Sequence, residues 1–175
     1  MIHTGAEEVF TFKRLVDYSS HADARFEFTE VVDHPVDSEE AAEAGANENL
    51  VERMAHEDYV MLLAGEKTSG LSGMGLQALL TGLYMRRPII VVNLDGCRHC
   101  DPSRLPRELE QRLFLCISSE FPVLQHALES WRDEAFRLSS MDQTHAAVYP
   151  PEMYQTLLPE DTASALDNIH RRIAL

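Results

Sequence analysis

Residues 58–96, DYVMLLAGEKTSGLSGMGLQALLTGLYMRRPIIVVNLDG, constrain the fold of this chain more than any other stretch. Tyr59 to Leu63 is a short apolar run of the length and composition of a strand buried on both faces. It stops at Gly65, and Glu66-Lys67-Thr68-Ser69-Gly70 reads as a polar loop of turn residues. Leu76, Leu79, Leu80 and Leu83 recur at spacings of three and four, which puts one apolar stripe on a helix. Arg86 and Arg87 are expected in its last turn, where positive charge suits the helix dipole, and Pro88 blocks further helix. Ile89-Ile90-Val91-Val92 is then a β-branched strand ending at Asn93. Strand, loop, helix and strand make a βαβ unit with parallel strands and a right-handed crossover. In such sheets ligands bind beyond the carboxyl ends of the strands, here residues 65–69 and 93–96.

The rest of the chain is compatible with one α/β domain. A length of 175 residues and 45% hydrophobic content suit a single core. Before that unit, Phe12, Leu15 and Val16 mark a helix beginning near Val9, and residues 25–31 alternate with period two like a half-buried strand near a sheet edge. Residues 36–45 are an acidic, alanine-rich connector, and residues 47–56 form a helix through Leu50, Val51 and Met54. Beyond Gly96, residues 97–104 read as a loop, residues 105–113 as a short helix begun by Pro106, and residues 114–117 as a strand. Ser119 is the expected N-cap of a long helix carrying Leu124, Ala127, Leu128, Trp131 and Ala135 toward the core. Residues 139–151 connect to an amphipathic tail at 162–175, with Leu166, Ile169 and Ile173 on one side. The expected organisation is an α/β domain over residues 1–138, with residues 139–175 packing on it. Helices alternate with about four strands, which predicts a three-layer domain with a mainly parallel sheet.

Charge and cysteine content exclude several functions. A net charge of −14 argues against nucleic-acid binding, which needs clustered Lys and Arg. No apolar run approaches the roughly 20 residues of a membrane helix, and MIHTGAEEVF lacks the layout of a signal peptide, so a cytoplasmic protein is expected. Cys97, Cys100 and Cys116 are too few for a disulfide framework. Cys97-Arg98-His99-Cys100 is a zinc half-site without a second ligand pair, and Asp101-Pro102 follows where a redox motif would open a helix. Ordinary loop cysteines are the favoured reading, with no metal.

The sequence contains no GxGxxG, P-loop, HExxH or GxSxG. Gly70, Gly73, Gly75 and Gly82 are nonetheless dense where a helix should start. Either backbone N–H groups approach a ligand phosphate there, or a flexible loop packs closely on the sheet. Glu66 and Asp95 lie at neighbouring strand ends, where two carboxylates could do acid–base work or hold ribose hydroxyls.

The ordered set Phe26-Glu27-Phe28, Val32-Asp33-His34, residues 50–54, VMLLAGEKT at 60–68 and RPIIVVNLDG at 87–96 resembles the TIR-like proteins of the Thoeris anti-phage defence type. The likeness covers roughly residues 9–131. It implies a flavodoxin-like fold, with the first strand missing or reduced to residues 1–4. Active members of that family cleave NAD⁺ at the nicotinamide–ribose bond without a metal, and Thoeris members make a cyclic ADP-ribose-type signal for a separate effector. Their catalytic glutamate lies on the helix after the Gly-Glu-x-Thr loop. Here that position falls at Ala78, beside Gln77, and the neighbouring tryptophan is also missing. The resemblance therefore implies Glu66 or Gln77 at the ribose, Gly65, Thr68 and Ser69 near phosphate, and Asn93 and Asp95 at the rim. No cofactor is required, and NAD⁺ is the expected substrate or ligand. The alternative is a catalytically inactive relative acting by self-association or through a protein partner from the same operon. A deoxyribosyltransferase-like enzyme would share the architecture, but it too needs a glutamate on this helix.

Overall fold

A computed structural model describes residues 1–5, 8–21, 26–34 and 50–158. Six strands form one sheet: β1 (Ile2–His3), β2 (Val31–Val32), β3 (Val60–Ala64), β4 (Ile89–Asn93), β5 (Leu115–Ser118) and β6 (Ala147–Val148). Their order is β2-β1-β3-β4-β5-β6 and every pairing is parallel. The helices are α1 (Glu8–His21), α2 (Leu50–Ala55), α3 (Met74–Tyr84), α4 (Phe121–Ser140) and α5 (Pro151–Leu157).

Side chains of the central strands alternate between two cores, as the two-residue period of a strand requires. Met61, Leu63, Ile90, Val92, Leu115 and Ile117 join Leu15 of α1 and Leu124, Leu128 and Trp131 of α4 on one face. Val60, Leu62, Ile89, Val91 and Cys116 join Met54 of α2 and Ala78 and Leu79 of α3 on the other. Helices thus cover both faces of a parallel sheet, which is a flavodoxin-like three-layer α/β fold. Trp131 is fully buried in the core, and its indole N–H donates to the Ile89 carbonyl at 3.0 Å, tying α4 to the start of β4.

Several local expectations change. The first strand is reduced to Ile2–His3, within the residues 1–4 expected for it, and it lies inside the sheet, pairing with β2 on one side and β3 on the other. Six strands replace the four expected, because two-residue strands such as β1 and β6 carry no period. Of residues 26–31 only Val31 enters a strand, residues 26–30 lead into it, and Arg25 lies outside the described residues. Arg86 and Arg87 lie past the end of α3. Arg86 turns left-handed at φ 55, and the Arg87 N–H closes on the Gly82 carbonyl. Residues 105–113 contain one turn of 3₁₀ helix, Arg107–Leu109, after another at Pro102–Arg104. Helix α4 starts two residues beyond Ser119, with Glu120 at the N-cap. Cys100 and Cys116 are joined in a disulfide, and Cys97 is a buried free thiol, so only part of the loop-cysteine reading holds. The acidic connector at 36–45 and the tail at 162–175 lie outside the described residues.

Candidate functional site

The chain runs from β1 outward to β2 and then returns to the opposite side of β1 for β3. That reversal makes the carboxyl ends of β1 and β3 the switch point, where a doubly wound sheet opens its ligand crevice. Two helices begin there, α1 after β1 and α3 after β3. Both present a positive dipole end whose first N–H groups have no partner within the helix, the usual seat of a phosphate.

In this chain each of those ends already holds a carboxylate. Asp33 directly follows β2. Its Oδ1 accepts from the N–H of Gly73 at 2.8 Å and of Gly75 at 3.0 Å, and its Oδ2 accepts from Ser72 at 3.1 Å. The His34 carbonyl accepts from the Met74 N–H at 2.8 Å. The opening turn of α3 is therefore satisfied by the end of β2. Glu8 opens α1 with 3% exposure, and its Oε1 accepts from the Thr4 hydroxyl at 3.0 Å. The Glu8 carboxyl lies flat against Gly65, where any side chain would collide with it. Close by, the buried His3 ring accepts from the Gly5 N–H at Nδ1, which leaves Nε2 to donate to Glu30 at 2.8 Å.

The loop after β3 is closed from within. The hydroxyl of Thr68, which has no exposure, donates to the Leu63 carbonyl at 3.2 Å and accepts from the Gly65 N–H at 2.9 Å. Glu66 and Ser69 are exposed on the rim of that loop, and Gln77 is half-buried one turn into α3. Ala78 faces away from the crevice. It borders a small hollow at the amino ends of the strands, with Ile2, Val31, Met54 and Val60.

Asn93 and Asp95 both serve the loop that follows β4. The buried Asn93 Nδ2 donates to the carbonyls of Cys97 at 3.0 Å and His99 at 2.7 Å, and lies 3.3 Å from Cys116 Sγ. Asp95 accepts from the Cys97 N–H at 2.9 Å and from Arg104 Nη1 at 2.9 Å. Burial, then the charge of Asp95 and a hydrogen bond to it, push the Cys97 thiol up to about 11. Among the described residues no group of three or more His, Cys, Asp or Glu could hold a metal ion. Nor is any helix among them long and apolar enough to cross a membrane.

Of the residues singled out in the sequence, Gly65, Glu66, Thr68 and Ser69 share the loop at the carboxyl end of β3. Asn93 and Asp95 stand beside it, since the Leu94 N–H donates to the Ala64 carbonyl at 3.1 Å. Glu8 and Asp33 went unnoticed as site residues. Only Asp33 carried a positional signal, since it directly follows the β-branched strand β2, whereas Glu8 opens α1 five residues beyond β1. No protein-family model matches the chain, and a search of curated proteins finds no match either.

Proposed function

We propose that this chain is a TIR-like signalling module that acts by association, and not by cleaving NAD⁺. One observation carries the reading: the carboxylates of Glu8 and Asp33 stand at the two helix N-termini of the switch-point crevice. A dinucleotide pyrophosphate would have to displace both or face their charge at short range, where repulsion is least screened. A developing oxocarbenium ion also needs a nearby negative charge, and α3 supplies none, since Ala78 is buried against the sheet. One surface that offers itself for association is the outer side of α3. There Leu80 and Tyr84, one turn apart, are 45% and 86% exposed.

The test pairs an activity with an assembly measurement. Purified protein at high concentration, incubated with NAD⁺, should release no nicotinamide. Light scattering should find species larger than the 19.8 kDa chain, alone or with proteins encoded beside it, and Leu80→Glu with Tyr84→Glu should return them to monomer. Nicotinamide release that falls in Glu66→Gln or Gln77→Ala would sink this reading. It would favour the second one, an NAD⁺ glycohydrolase or cyclase of the anti-phage type. The exposure of Glu66 and Ser69 beside Gly65 is what speaks for that alternative.

A further inference from the structure

Asn93, at the end of β4, stands beside Cys97 and beside the bond between Cys100 and Cys116. Its Nδ2 donates to the carbonyls of Cys97 at 3.0 Å and His99 at 2.7 Å, and lies 3.3 Å from Cys116 Sγ. Cys116 has no exposure, whereas its partner Cys100 is only half-buried. An external thiolate can therefore reach the bond from the Cys100 side alone. The loop that carries Cys100 continues into the 3₁₀ turn Pro102–Arg104, which lies against the 3₁₀ turn Thr68–Gly70 beyond β3. The bond thus clamps, to the interior of β5, a loop that touches the rim of the crevice.

We propose that Cys100 is a thiol-exchange site, where an external dithiol opens the Cys100–Cys116 bond and frees the rim of the crevice. A thiolate of the dithiol attacks Cys100 Sγ and forms a mixed disulfide there. The Cys100–Cys116 bond breaks, and its electron pair leaves on Cys116 Sγ, beside the Asn93 amide. That amide has two hydrogens, and both go to loop carbonyls while Cys116 is in a disulfide. A thiolate is the stronger acceptor and draws one of them, which steadies the leaving group and loosens the loop in the same step. Cys116 then takes a proton, and the second thiol of the reagent attacks the mixed disulfide. The dithiol ends as a disulfide and the protein as two free thiols, two electrons and two protons having passed between them. Cys97 does not intercept the mixed disulfide, because burial and Asp95 push its thiol up to about 11 and leave little thiolate. With the bond open, the turn at 102–104 is held through the pair of Arg104 with Asp95 at 2.9 Å, partly exposed and of little strength. The inference concerns the loop after β4 and stands whether or not α3 is an association surface.

The experiment uses the full chain in native buffer. Dithiothreitol should reduce the bond at a rate proportional to its concentration, while circular dichroism stays that of the folded protein. Excess glutathione, quenched with acid during the reaction, should leave its mixed disulfide on Cys100 when the peptides are mapped by mass. Short-pulse hydrogen exchange of the reduced protein should speed several-fold at residues 66–70 and 98–104, and not along β3 or β4. Cys100→Ser with Cys116→Ser should reproduce that pattern without reductant. Asn93→Asp removes the donor and puts a carboxylate beside the departing sulfur, so reduction should slow several-fold, whereas a merely looser loop would speed it. The proposal is overturned by reduction that needs urea, by a mixed disulfide on Cys116 or on neither cysteine, or by reduction of Asn93→Asp that is not slower. A reduced protein whose rim exchanges as before would overturn it too.

Discussion

The carboxylate of Asp33 lies 2.8 Å from the N–H of Gly73, across forty residues of sequence, and caps a helix from outside it. Three N–H groups of residues 72–75 end on this one side chain. Loss of an ordinary N-cap costs about 1–2 kcal/mol. Asp33→Ala should therefore lower the unfolding free energy by about 2 kcal/mol in urea titrations. Asp33→Asn keeps one acceptor oxygen and should lose less.

The glycines at the start of α3 should separate into two kinds. A Cβ on Gly73 would run into the backbone carbonyl of His34, which is itself held by Met74 and cannot withdraw. Overpacking of this sort costs about 1–3 kcal/mol, and a backbone obstacle puts Gly73→Ala at the upper end. Around Gly70 nothing lies within 4 Å of a Cβ, and its φ is not left-handed. Gly70→Ala should leave stability unchanged or raise it by up to ~1 kcal/mol through the unfolded chain. Thermal unfolding of the two variants side by side decides the matter. Equal melting temperatures would contradict the close approach.

This contrast also explains which parts of the molecule could be read from the sequence. The unit β3–α3–β4 was legible because its strands are five residues long and its helix holds a 3.6-residue stripe. The carboxyl-end location of the crevice followed from that unit alone. Strands β1 and β6, two residues each, have no periodicity to find, and only pairing with their neighbours makes them strands. The glycine density was visible, but its cause was not. What approaches Gly73 and Gly75 is Asp33, with His34 also at Gly73, delivered from the end of another strand, and no local pattern announces a contact across forty residues. Glu8 was hidden for the same reason, since its burial depends on Gly65. The Cys100–Cys116 bond joins a loop to a strand interior, two places that separate local readings kept apart.

That disulfide ties the loop after β4 to the core of β5, closing a loop with a sequence separation of 16. Removing a cross-link over such a loop costs about 3 kcal/mol in the chain-entropy picture. Cys100→Ser with Cys116→Ser, or treatment with a dithiol reductant, should lower the urea midpoint correspondingly. Cys97→Ser should leave the effect of reductant intact. If reduction leaves the midpoint unchanged, the bond contributes nothing to the fold.

Cys97 should report its surroundings through pH. Its thiol is raised from 9.0 to about 11 by burial and by Asp95. A folded-state value above the unfolded one means that folding favours the protonated thiol. The stability linked to this group is fully present below about pH 9 and is lost as pH climbs through about 11. Other groups titrate in that range, so the informative quantity is the difference from Cys97→Ala, which should show a flatter decline. The same shift thins the reactive thiolate roughly 100-fold at pH 8 relative to an unperturbed thiol. Iodoacetamide should accordingly label Cys97 in the native protein far more slowly than in urea. Asp95→Asn removes the charge and part of the shift, and should speed native labelling while Arg104→Ala, which strips a neighbouring cation, should slow it. Labelling at equal rates in the native and unfolded chain would show that the thiol feels neither burial nor the carboxylate.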